Sequence, residues 1–103
     1  MKIFDKIKKQ INNNSIIIYM KGSPDMPNCG FSARAVKILL SYKKKFSYVD
    51  VLKNEKIRKF LPKYSNWPTF PQLWINGVLI GGCDIIVEMF NNGELKKIIS
   101  KVN

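Results

Sequence analysis

The sequence is short of cysteine, of acid, of arginine and of long apolar runs. Its two cysteines, Cys29 and Cys83, among 103 residues are too few for a disulfide framework and lack the clustered ligands of a zinc site. One chain alone cannot fully ligate a metal. The longest uninterrupted apolar run, Ile16 to Met20, falls far short of the roughly 20 residues needed to span a bilayer. No membrane-crossing segment is expected. The stretch from Met1 to Asn14 interleaves lysines with single apolar residues and has no apolar h-region of the kind a secretory signal requires. A cytoplasmic location, where thiols are kept reduced, is therefore expected.

Seven acids against 18 lysines and arginines give a formal net charge of +11. Such an excess suits an anionic partner, but the basic residues are scattered along the chain, and no signature of a nucleic-acid-binding module occurs. Only Arg34 and Arg58 are arginine, while lysine, asparagine and isoleucine abound, as drift toward A/T-rich codons would produce. No nucleic-acid partner is expected. With 46% hydrophobic and 24% charged residues, the composition is that of one compact globular domain over residues 1–103.

What is there begins with periodicity. Ile3, Ile7 and Ile11 with Phe4 predict a helix that Asn12 to Asn14 ends. Ser15 to Met20, with three consecutive isoleucines, reads as a buried strand. Gly22, Pro24 and Pro27 make Lys21 to Asn28 a loop. From Cys29 the apolar positions Ala33, Val36, Leu39 and Leu40 predict a helix to about Lys44, with Cys29 in its first turn. Phe46 to Val51 alternates as a second strand, and Asn54 is a plausible cap for a helix carrying Ile57, Phe60, Leu61 and Tyr64.

Ser65 to Thr69 reads as a loop, and Gln72 to Ile75 and Val78 to Ile80 flank Asn76-Gly77, a strong hairpin signal. Gly81-Gly82 closes the strand, Asp84 is expected to cap a helix through Phe90, and Leu95, Ile98 and Ile99 mark a last helix. The order α-β-α-β-α-β-β-α-α implies an α/β fold with a four-stranded mixed sheet flanked by helices. Its first two strands should be parallel and its hairpin antiparallel, the thioredoxin-like arrangement.

Cys29-Gly30-Phe31-Ser32 is a C-x-x-C site whose second cysteine is a hydroxyl. In such sites the first thiolate attacks and the second thiol resolves the mixed disulfide. Ser32 cannot resolve, so Cys29 is left to form a mixed disulfide with a small thiol or to ligate a metal. A helix start stabilises thiolate over thiol and should lower the Cys29 pKa.

Together with KGSPDMPNCGFS at 21–32, the blocks LPKYSNWPTFPQLWINGVLIGG at 61–82 and CDIIVEM at 83–89 make the chain resemble the monothiol glutaredoxins of the CGFS class, in their bacterial single-domain form. The resemblance implies glutathione binding by Lys21 and Arg58 at the glycine carboxylate, by the backbone of Phe70 before a cis Pro71, and by Cys83 and Asp84 at the γ-glutamyl end. Trp67 would shape a wall of the same site, and Arg34 has no assigned role.

The resemblance also implies a labile 2Fe-2S cluster bridging two subunits, ligated by Cys29 and glutathione of each. The expected activity is iron-sulfur cluster assembly and transfer. The chain would be a homodimer when loaded and a monomer as apo protein, with BolA-family proteins and iron-sulfur acceptor proteins as partners. The alternative is a glutathione-dependent thiol-disulfide oxidoreductase, removing glutathione from proteins through Cys29. Whether the chain is an enzyme at all stays open at this point.

Overall fold

The computed structural model describes residues 2–103. Strand β1 (Ile16–Met20) lies between β2 (Ser47–Asp50) and β3 (Gln72–Ile75), and β4 (Val78–Gly81) is outermost beside β3. β1 pairs parallel with β2 and antiparallel with β3, which pairs antiparallel with β4. The helices are α1 (Lys2–Asn13), α2 (Gly30–Ser41), α3 (Glu55–Ser65), α4 (Cys83–Asn91) and α5 (Glu94–Ser100). This is the expected order and sheet.

Successive side chains of a strand point to opposite faces. Ile16, Ile18 and Met20 therefore meet Ala35, Val36 and Leu39 of α2, Ile86 of α4, and Leu95 and Ile99 of α5. Ile17 and Tyr19 turn the other way, onto Ile7 and Ile11 of α1 and Ile57 and Leu61 of α3. All five β1 residues are buried, as a strand covered on both faces requires. The sheet thus separates an α1/α3 layer from an α2/α4/α5 layer. At the hairpin, Asn76 (φ 49°) and Gly77 (φ 79°) both take left-handed backbone, the conformation that makes Asn-Gly a tight-turn sequence.

Four local expectations are corrected. α2 ends at Ser41 rather than near Lys44, because the Tyr42 and Lys43 amides bond back to Leu39 and Leu40 and Lys43 turns left-handed at φ 55°. Asn54 does stand at the N-cap of α3, but its side chain makes no capping bond and its Nδ2 donates to the Asp50 carbonyl at 2.9 Å. Asp84 is not a cap: Gly82 holds the N-cap of α4, which places Asp84 inside the first turn. α3 also runs on to Ser65, past Pro62, before Asn66 ends it in left-handed backbone.

Candidate functional site

Cys29 occupies the N-cap of α2 with extended backbone, one position before the first turn expected for it. A helix start leaves amide N–H groups without partners inside the helix. The Ser32 amide is the largest influence holding the Cys29 thiol below the ordinary thiol range. Desolvation opposes it, and the Phe31 amide, the Lys21 ammonium and the Ser32 hydroxyl add to it. The Cys29 side chain closes no capping bond of standard geometry, so these groups act chiefly as partial charges that favour the thiolate.

Cys83 is buried, and desolvation pushes its thiol up, with Arg34 lowering it and Asp84 and Cys29 raising it further. The thiolate is the form that reacts, so a lowered pKa enlarges the reactive fraction at neutral pH and a raised one shrinks it. Iodoacetamide labelling followed by peptide mass spectrometry across a pH series should show Cys29 reaching half-maximal rate at lower pH than Cys83. The reverse order would contradict this electrostatic reading.

Lys21 follows β1, and the loop that leads from it to Cys29 is closed on itself. The Asn28 amide donates to the Lys21 carbonyl at 3.0 Å, Gly22 bridges to Pro27, and Ser23 and Met26 exchange backbone bonds. Lys21 and Cys29 are thereby held side by side across the neck of the loop. On the opposite wall Phe70-Pro71 is a cis peptide bond, and among the described residues neither the N–H nor the C=O of Phe70 has a hydrogen-bond partner.

A cleft of about 630 Å³ opens between these elements, lined by Lys21, Cys29, Phe31, Arg58, Pro62, the Trp67 to Pro71 segment and Gly82 to Ile85. All six residues singled out from the sequence, Lys21, Cys29, Arg58, Phe70, Cys83 and Asp84, border it. Lys21 comes from the end of β1, Arg58 from the exposed side of α3, and Cys83 and Asp84 from the start of α4. Gly82 explains how α4 approaches so closely: a Cβ there would lie 3.3 Å from the Pro71 carbonyl oxygen and 3.4 Å from Trp67 Nε1.

The glutaredoxin family pattern matches residues 16–80. The protein named Glutaredoxin 4 of Buchnera aphidicola subsp. Baizongia pistaciae is 69% identical over 98 residues, covering 95% of this chain and 91% of that one. The chain belongs to the glutaredoxin family. Glutaredoxin 4 of Escherichia coli (strain K12) is 57% identical over 97 residues, covering 94% of this chain and 84% of its own. The solution structure of reduced poplar apo GrxS14 superposes with a TM-score of 0.82 at 43% identity, covering 96% of this chain and 91% of that one. The resemblance drawn from the sequence blocks is borne out at the level of family and fold.

Within this glutaredoxin site, three side chains have roles that the sequence reading missed. Ser32 is fully buried, and its Oγ accepts the Lys21 amide at 3.2 Å. The hydroxyl at the place of the second thiol ties the end of β1 to the first turn of α2. Asp50 Oδ1 accepts the amides of Gly22 at 3.0 Å and Leu52 at 2.9 Å, anchoring the Cys29 loop to the end of β2. Buried Gln72 donates from Nε2 to the Trp67 carbonyl at 2.9 Å and receives the Trp74 indole N–H at 3.3 Å. A polar residue opening a strand of buried neighbours was the one signal available for Gln72; Asp50 offered none. Arg34, given no role, is close enough to Cys83 for its charge to act on that thiol.

Proposed function

We propose that this glutaredoxin is a carrier of 2Fe-2S clusters, which it receives as cargo and passes to acceptor proteins in the cytoplasm. The observation that carries the reading is a single thiolate-prone cysteine, Cys29, at a cleft where the second position is the buried, hydrogen-bonded hydroxyl of Ser32. A resolving thiol would favour release of a small-thiol adduct over its retention; here none is present at that position.

The donor set fits a shared cargo. A 2Fe-2S cluster takes four ligands, normally thiolates, and no group of three or more His, Cys, Asp or Glu side chains gathers among the described residues. One chain with one glutathione offers two sulfurs, so two chains and two glutathiones complete the set. The loaded form would be a homodimer and the apo form a monomer, with a BolA-family protein able to take the place of one subunit. Glutathione would lie along the cleft. Its glycine carboxylate would meet Lys21 and the planar Arg58 guanidinium, and its cysteinyl backbone would pair with the free N–H and C=O of Phe70. Its γ-glutamyl end would meet the Cys83 amide and Asp84 at the start of α4.

Anaerobic reconstitution with iron, sulfide and glutathione tests this, read by visible absorbance and size-exclusion chromatography. A coloured dimer that forms only with glutathione present is expected. No coloured species, or one formed equally well without glutathione, would overturn the ligand set. Steady turnover of a glutathionylated substrate at rates typical of dithiol glutaredoxins would move the assignment to oxidoreductase.

A further inference from the structure

Part of the charge that looks scattered along the sequence is gathered by the fold. α1 carries Lys2, Lys6, Lys8 and Lys9 against Asp5, and α3 carries three lysines and Arg58 against Glu55, so each helix is +3 and their layer +6. Across the sheet, α2 has Arg34 and Lys37, α4 has Asp84 and Glu88, α5 has two lysines against Glu94, and Lys43, Lys44 and Lys101 stand where α2 and α5 end, a layer of +4. The α1/α3 layer, with 12 and 11 helical residues against 12, 9 and 7, carries the larger charge on the fewer residues.

The cations of the α1/α3 layer are exposed and gathered. Lys2, Lys6 and Lys56 rim one depression of about 410 Å³, and Lys2, Lys6 and Lys9 rim a second. Lys59 and Lys63 hold their ammonium groups 5.5 and 5.3 Å from the centre of the Phe60 ring. Arg58 belongs to this layer and also lines the Cys29 cleft, so the basic surface runs up to the reactive thiol.

We infer that the α1/α3 layer is a docking surface for an acidic face of a partner protein, which it steers and seats beside the cleft. Charge complementarity selects the occupant. The exposed large apolar side chains, among them Met26, Phe31, Val78 and Phe90, all lie outside α1 and α3, and a membrane-surface helix would need such groups to insert. Seven of the eight cations are lysines, point charges without the forked donors that read bases or clamp phosphates, and no exposed aromatic side chain stands among them for bases to stack on. A protein surface of carboxylates asks only for charge of the right sign, and docking there places the partner at Arg58 and hence at Cys29. The inference does not depend on the identity of the cargo.

The test uses the apo protein and a poly-glutamate peptide, followed by NMR amide shifts and a salt series. Shifts confined to α1 and α3, with affinity falling as salt rises, are expected. The triple variant Lys6→Glu, Lys9→Glu, Lys56→Glu should weaken binding about tenfold at low salt. The variant Lys37→Glu, Lys96→Glu, Lys97→Glu, with the same change in net charge on the other layer, should weaken it less than about twofold. Absence of binding, shifts spread over both layers, or equal losses in the two variants would overturn the proposal. Tighter binding to a DNA duplex or to phosphatidylglycerol vesicles than to the peptide would do so as well.

Discussion

Cys29→Ser should abolish cluster reconstitution completely while leaving the fold as stable as before or slightly more so. The loss follows from ligand count: Cys29 is the one thiol at the cleft that is not buried, and a serine hydroxyl at neutral pH is neither thiolate nor nucleophile. The stability arm follows from position. Cys29 is the N-cap of α2 and its side chain makes no capping bond, whereas serine is among the preferred N-cap residues, so the replacement adds up to about 1 kcal/mol rather than removing it. Visible absorbance after anaerobic reconstitution and thermal denaturation by circular dichroism read the two arms, with Cys83→Ser as the paired control that should keep its colour. Colour retained in the Cys29 variant would sink the ligand assignment, and a fall in melting temperature would sink the capping argument.

Gly22→Ala should cost about 2–4 kcal/mol of stability and slow labelling of Cys29. Gly22 sits at φ +91°, where a side chain is strained whatever the space, and here there is none. A Cβ would drive into the Met26 carbonyl oxygen, lie 2.8 Å from the Asn28 amide nitrogen and 3.1 Å from Pro27 Cα. All three contacts are backbone, which cannot rotate aside as a side chain would. The loop must open, and with it go the Asn28 to Lys21 bond and the Asp50 anchor on the Gly22 amide. Urea unfolding and iodoacetamide kinetics on the same preparation would measure both effects. A variant within about 0.5 kcal/mol of the parent would show that the loop relaxes without a penalty.

Much of the fold was legible because local and global signals agree. Ile16 to Ile18 could only be a strand buried on both faces, and Asn76-Gly77 adopts the left-handed pair that its residue types favour. The candidate site residues, which the fold brings to one cleft, were singled out through motif blocks rather than through periodicity. What stayed hidden depends on three-dimensional neighbours. Asp84 looked like a cap because aspartate often is one, yet the cap is Gly82, where the close approach of α4 to Trp67 and Pro71 leaves little room for a side chain. Ser32 read as a missing sulfur, since nothing in sequence says that an amide eleven residues earlier points at its hydroxyl. The spread of lysines along the chain concealed the grouping of seven of them, because α1 and α3 lie far apart in sequence and share one face of the sheet.

That grouping leaves the charge of the molecule uneven, denser on the α1/α3 side than across the sheet. In the field of an anionic surface a body of this kind feels a torque before it feels a contact. It turns while still separated by solvent, and the rotational search that limits most protein encounters is shortened. The gain appears in how often a collision arrives with the cleft near the partner rather than in how long the pair stays together.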